Sequence, residues 1–95
     1  MSLVNNKEDF VRGVIRDLLQ NILIAMVDNP SELKVFYVSH ERTTVYHIRC
    51  HKSDVGKVLG KQGKNINAVR TILLGVAAKH NLRCVLELED NHVRQ

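Results

Sequence analysis

Gly60 and Gly63 stand three residues apart, with Lys61 and Gln62 between them and Lys57 and Lys64 on either side. A turn closing in so few residues needs backbone angles, or a closeness of approach, that a β-carbon hinders. If helices flank it, the amides that open the second helix lack intrahelical partners. Together with the helix dipole they make a site for a phosphate group. The lysines bring mobile positive charge to the same place. By itself a glycine pair in a tight interhelical turn is usually structural. The surroundings argue for more, because Val55, Val58 and Leu59 give an apolar approach to the turn and Ile66 follows it.

Charge points the same way. The 95-residue chain has a formal net charge of +4, and that total hides an asymmetry. Residues 42–83 carry nine basic side chains against a single acid, Asp54, while residues 1–41 and 84–95 are each acidic by two charges. A positive field confined to the stretch that holds the glycine turn fits a polyanionic partner better than a merely solvated face.

Other chemistries find little support. The five histidines, His40, His47, His51, His80 and His92, include none paired with cysteine or carboxylate at a recognised ligand spacing, so no metal or cofactor is expected. Catalysis needs a nucleophile or an acid/base pair, and the basic stretch offers Ser53 and Asp54, which helix capping explains more simply. An enzyme is not expected. The turn is also a poor nucleotide-binding P-loop, since no Ser or Thr follows Lys61 or Lys64 to hold a metal. Cys50 and Cys84 fall at inward strand positions and read as buried thiols. Lys7, Glu8 and Asp9 interrupt the start where a secretory signal would need an apolar run, and no segment has the length of a membrane span. The expectation is a cytoplasmic protein.

The elements that must position the turn follow from periodicity. Phe10, Val11, Val14, Ile15, Leu18, Leu19, Ile22, Leu23, Met26 and Val27 recur at steps of three and four, predicting an amphipathic helix over 8–27 that Pro30 stops. Residues 33–38 and 43–50 are rich in β-branched and aromatic residues, and the polar link Ser39-His40-Glu41-Arg42 joins them as a hairpin. In the second strand Tyr46, Ile48 and Cys50 should face the core. A short helix over 53–59, with Ser53 or His51 at its start and Asp54 complementing its dipole, leads into the turn. Residues 64–80 form the next helix, its apolar face built by Ile66, Val69, Ile72, Leu73, Val76 and Ala77. Asn81 ends it, and Cys84, Leu86 and Leu88 alternate inward along a third strand. The crossover through two helices is long enough for parallel pairing. The fold class is therefore α+β, in the order α-β-β-α-α-β, with a three-stranded mixed sheet and helices packed on one face.

Val58-Leu59-Gly60-Lys61-Gln62-Gly63-Lys64-Asn65-Ile66 resembles the V-I-G-x-x-G-x-x-I signature of KH domains, and the element order resembles their type II, or bacterial, arrangement. Over roughly residues 15–89 the chain is similar to the small single-KH bacterial proteins of the KhpA family. The Asp28-Asn29-Pro30 turn, the hairpin, the run from Gly56 to Gly63, Ala68-Val69-Arg70-Thr71 and the Val85-Leu86-Glu87-Leu88 strand carry that likeness. It implies a single KH domain over 10–89, which leaves a flexible extension over 1–9 and a loose tail over 90–95 as expectations from the residues themselves. It also implies a groove that holds about four single-stranded RNA nucleotides with weak reading of the bases. Carried over by residue, Gly60 and Gly63 permit close approach, while Lys61 and Gln62 contact phosphate or sugar. Val55, Leu59 and Ile66 line an apolar wall. Lys57 and Lys64 add affinity without choosing sequence, and Asn67 completes the RNA-binding set. The family likeness further implies a homodimer, or pairing with another KH protein, and a post-transcriptional or RNA-chaperone role. The chain departs from the family in its N-terminal extension and in His47 and His51 at one strand end. The competing reading is a protein-interaction module in which RNA binding is secondary.

Overall fold

A computed structural model describes residues 6–89 of the chain. The helix α1 (Asn6–Ile24) is followed by a 3-10 turn (Pro30–Glu32), the strands β1 (Lys34–His40) and β2 (Thr43–Arg49), and a second 3-10 turn (Lys52–Asp54). Then come α2 (Val55–Leu59), a third 3-10 turn (Lys61–Gly63), α3 (Lys64–Lys79) and β3 (Arg83–Leu88). This is the expected α+β order, with β1 antiparallel to β2 and β2 parallel to β3 in a single three-stranded sheet.

Strand alternation decides which face the helices cover. Val35, Thr44, Tyr46, Ile48, Cys84 and Leu86 are buried, whereas Val38, Arg49, Val85 and Glu87 point to the open side. Onto the first set pack Val11, Ile15, Leu19 and Leu23 from α1 and Ile66, Val69, Leu73 and Ala77 from α3. Each fully buried Leu or Ile contributes roughly 1.5–3 kcal/mol of transfer free energy to that core. Polar bonds fix the angle of α1: the buried Tyr46 hydroxyl donates to the Arg12 carbonyl at 2.9 Å, and Arg12 Nε donates to Thr44 Oγ1 at 3.0 Å. Cys50 and Cys84 are buried and not joined in a disulfide, as their positions predicted.

Several expectations are corrected at their edges. α1 begins at Asn6 and stops at Ile24, so residues 6–9, assigned to a flexible extension, are its first turn. The remainder of that extension and the tail over 90–95 lie outside the described residues. Phe10, Val14 and Leu18 do not join the core, and neither does Ile72 of α3. On a helix, residues one position apart diverge by 100°, so a sheet that covers 11, 15 and 19 leaves 10, 14 and 18 outside. The hairpin link is shorter than four residues, because Ser39 pairs with Thr44 and His40 with Thr43. That leaves Glu41 and Arg42 to turn, with Glu41 in the left-handed region at φ 57°. α3 ends at Lys79, and Asn81 supplies the expected left-handed stop at φ 59° as the Leu82 amide closes back onto the Ala77 carbonyl.

Candidate functional site

α2 has five residues, too few to hold its own shape, and its ends are fixed from outside. At its entrance the His51 imidazole accepts the Ser53 amide through Nδ1 at 3.0 Å, capping the 3-10 turn that leads in. Asp54 stands at the start of α2, where it was expected to complement the dipole, but it makes no capping bond there with its side chain, so the capping explanation of it does not hold. Its carboxylate is fully buried and accepts the backbone amides of Asp28 at 3.1 Å and Asn29 at 3.0 Å, together with Asn29 Nδ2 at 3.1 Å. Burial acting alone would raise its pKa, but these bonds and the nearby Lys57 charge outweigh it and hold the carboxyl below the ordinary value. Once those two amides are engaged, α1 cannot continue through 28. The start of α2 is thereby riveted to the turn between α1 and β1.

At the exit, the Gly60 amide closes onto the Gly56 carbonyl at 2.8 Å, and the chain swings out at φ 75°, ψ 171°. Gln62 sits at φ 57°, ψ 29° and Gly63 at φ 76°, ψ 15°, both left-handed, before α3 starts at Lys64. Gly60 is obligatory on two counts. Its backbone region belongs almost solely to glycine, and a β-carbon there would lie 2.5 Å from Asn65 Cγ. Gly63 is less constrained, since its nearest neighbour would be Asn67 Nδ2 at 3.5 Å. The Asn65 side chain, absent from the sequence-based set, donates through Nδ2 to the Lys57 carbonyl at 2.9 Å.

The 16-residue helix α3 therefore opens on a glycine, with no side chain bonded across its N-terminus. Lys61 and Lys64 are exposed beside it, and exposed Lys57 reaches Asp28 Oδ2 at 3.2 Å. The positive dipole end of α3 and the exposed Lys61 and Lys64 give this end of the helix a positive field. The structure brings all of the sequence-based residues into this one region, though with unequal access. Gln62 and Asn67 are exposed; Asn67 accepts a hydrogen bond from the Arg70 guanidinium through Oδ1, and its carbonyl accepts Thr71 Oγ1 at 3.0 Å. Of the apolar trio, Leu59 is 37% exposed, Val55 is half-buried and Ile66 retains only 6%, so Ile66 belongs to the core. Arg70, also absent from the set, flanks the edge strand β3: burial pushes the Cys84 thiol pKa up, and the Arg70 charge opposes that shift. No local signal could have marked Asn65 or Asp54, because what each does depends on partners eight and more than twenty residues away.

Among the described residues no group of three or more His, Cys, Asp or Glu side chains is arranged to hold a metal ion. No helix among them is long and apolar enough to cross a membrane.

Comparison with known proteins gives one consistent answer. Residues 16–88 match the family model described as the KhpA/KhpB KH domain. The chain is 36% identical over 74 residues to the RNA-binding protein KhpA of Chlamydia pneumoniae, covering 78% of this chain and 95% of that one. It is 38% identical over 74 residues to the protein of the same name from Borreliella burgdorferi, covering 78% and 90%. For that of Aquifex aeolicus the figures are 35% over 76 residues, covering 80% and 96%. No solved structure gives a significant match.

Proposed function

The chain belongs to the KhpA/KhpB family of KH domains, and on that premise we propose that it binds short single-stranded RNA at the Gly60–Gly63 turn with low sequence specificity. The observation that carries this reading is the uncapped start of α3, entered through two glycines at positive φ and surrounded by exposed Lys57, Lys61 and Lys64. In the bound complex the turn lies against the sugar-phosphate backbone, with Lys61 and Gln62 at its tip. Lys57 and Lys64 supply charge, and Asn67 offers polar contacts from α3. Bases lie over Val55 and Leu59, with Ile66 beneath. Backbone contacts carry no sequence information, and one module touching about four nucleotides leaves little energy for discrimination. The protein acts by binding and not by catalysis. Its place is the cytoplasm, in post-transcriptional regulation or RNA chaperoning.

The test is the double substitution Lys61→Asp, Gln62→Asp, assayed with a single-stranded RNA oligonucleotide and by thermal melting. Both side chains are exposed, so the expected result is loss of RNA binding with an unchanged Tm.

A second reading, that the domain is chiefly a dimerisation or KH-pairing module, is favoured by one observation. Phe10 is 72% exposed and Ile72 59%, with Val14 and Leu18 also exposed, more apolar surface than the helical layer needs to leave in water. RNA binding that survives the double substitution would favour this reading over the first.

A further inference from the structure

We infer that Asn65 is a positioning residue that holds the Gly60–Gly63 turn in its RNA-accepting shape without itself touching RNA, an inference that rests on the RNA-binding reading above. The turn has every reason to be loose. Gly60, Gln62 and Gly63 all occupy positive φ, and for Gln62 that is a conformation an L residue adopts at a cost. Its internal bonds are few, the Gly63 amide meeting the Gly60 carbonyl at 3.0 Å and the Lys64 amide meeting that of Lys61.

Asn65 supplies what the turn lacks. It stands in the first turn of α3, yet its amide reaches back across eight residues to the Lys57 carbonyl in α2. Among the described residues this is the one side-chain hydrogen bond that joins α2 to α3. The bond also satisfies a carbonyl in the last turn of α2 that has no helical partner ahead of it. On the way the Asn65 side chain passes through the space that a Gly60 β-carbon would fill, with Cγ at 2.5 Å and Nδ2 at 2.7 Å from that point. The bare α-carbon of Gly60 and the amide of Asn65 are two halves of one joint. Phosphate contacts made by a preorganised turn do not have to order it first, so losing the joint weakens binding without removing any contact.

The experiment compares the full chain with Asn65→Ala, using a short single-stranded RNA titrated at several salt concentrations, thermal melting, and amide hydrogen exchange. The expected result for the variant is RNA affinity lower by about tenfold, the size of one lost hydrogen bond. Its dependence of log K on log salt stays parallel to that of the parent, because no phosphate contact has gone. Exchange quickens at Gly63 and Lys64, whose amides close the turn, while the amides of β2 keep their protection, which separates a local joint from a general loss of stability. Unchanged affinity overturns the inference. So does a shallower salt dependence, which would make Asn65 a contact, and so does a collapse of Tm, which would make it a support of the whole domain. Failure of the RNA reading itself shows up separately, as absence of RNA binding by the parent chain, and the inference falls with it.

Discussion

At the scale of single residues, the two glycines of the turn differ in what they do. Gly60 combines an angle pair almost closed to other residues with a neighbour at 2.5 Å from its missing β-carbon, whereas Gly63 is in the ordinary left-handed region, where a β-carbon would meet Asn67 Nδ2 at an ordinary contact distance of 3.5 Å. Gly60→Ala should therefore destabilise the domain by about 1–3 kcal/mol from backbone strain alone, with displacement of Asn65 in addition. Gly63→Ala should cost about 1 kcal/mol. Thermal melts of the two variants check this, and the expected order is a clearly lower Tm for Gly60→Ala. The signature G-x-x-G thus treats as equivalent two positions that packing makes unequal.

At the scale of elements, the five residues of α2 owe their position to Asp54. Its carboxyl is held below its ordinary pKa in the folded chain, so it contributes stability that is fully present above the unfolded value of about 3.9. That contribution disappears as the pH falls through the lower folded value. The Tm difference between the parent and Asp54→Asn should accordingly be constant from neutral pH down to about 5, then shrink on further acidification. At neutral pH the variant should melt roughly 5–15 °C lower, because an amide cannot accept from all three donors and leaves buried polar groups unpaired. Glu89 is also held low, chiefly by its bond from Arg49, but it is common to both proteins and drops out of the difference.

At the scale of the whole molecule, the charge asymmetry acquires a direction. Of the basic residues in 42–83, Lys57, Lys61 and Lys64 lie around the start of α3, whereas Lys79 stands at its other end and Arg42 and Arg49 pair with Glu8 and Glu89. If Lys57, Lys61 and Lys64 each neutralise a phosphate, changing all three to Gln should reduce the slope of log K against log salt by about 2, at roughly 0.7 per contact with a single strand. The measurement is a set of RNA titrations across salt. Because Lys57 already neighbours Asp28, its share of that change should be smaller than those of Lys61 and Lys64. The exposed apolar side chains Phe10 and Ile72 lie outside this electrostatic argument.

The sequence by itself determined the element order, the inward alternation of Tyr46, Ile48, Cys84 and Leu86, the helix stop at Asn81 and the location of the turn. Each of these is written in local periodicity or in residues whose backbone preferences are intrinsic, so a short window contains the whole cause. Only the tertiary structure decided that Phe10, Val14, Leu18 and Ile72 stay in water, since the width of a buried helix face depends on what packs against it. It decided too that α1 stops at Ile24, that Asp54 takes the amides of Asp28 and Asn29, and that Asn65 occupies the space Gly60 leaves empty. Contacts between residues far apart in the chain leave no trace in the spacing of either partner. The turn was legible as a motif, but the side chains that hold its shape became visible only when the chain had closed around it.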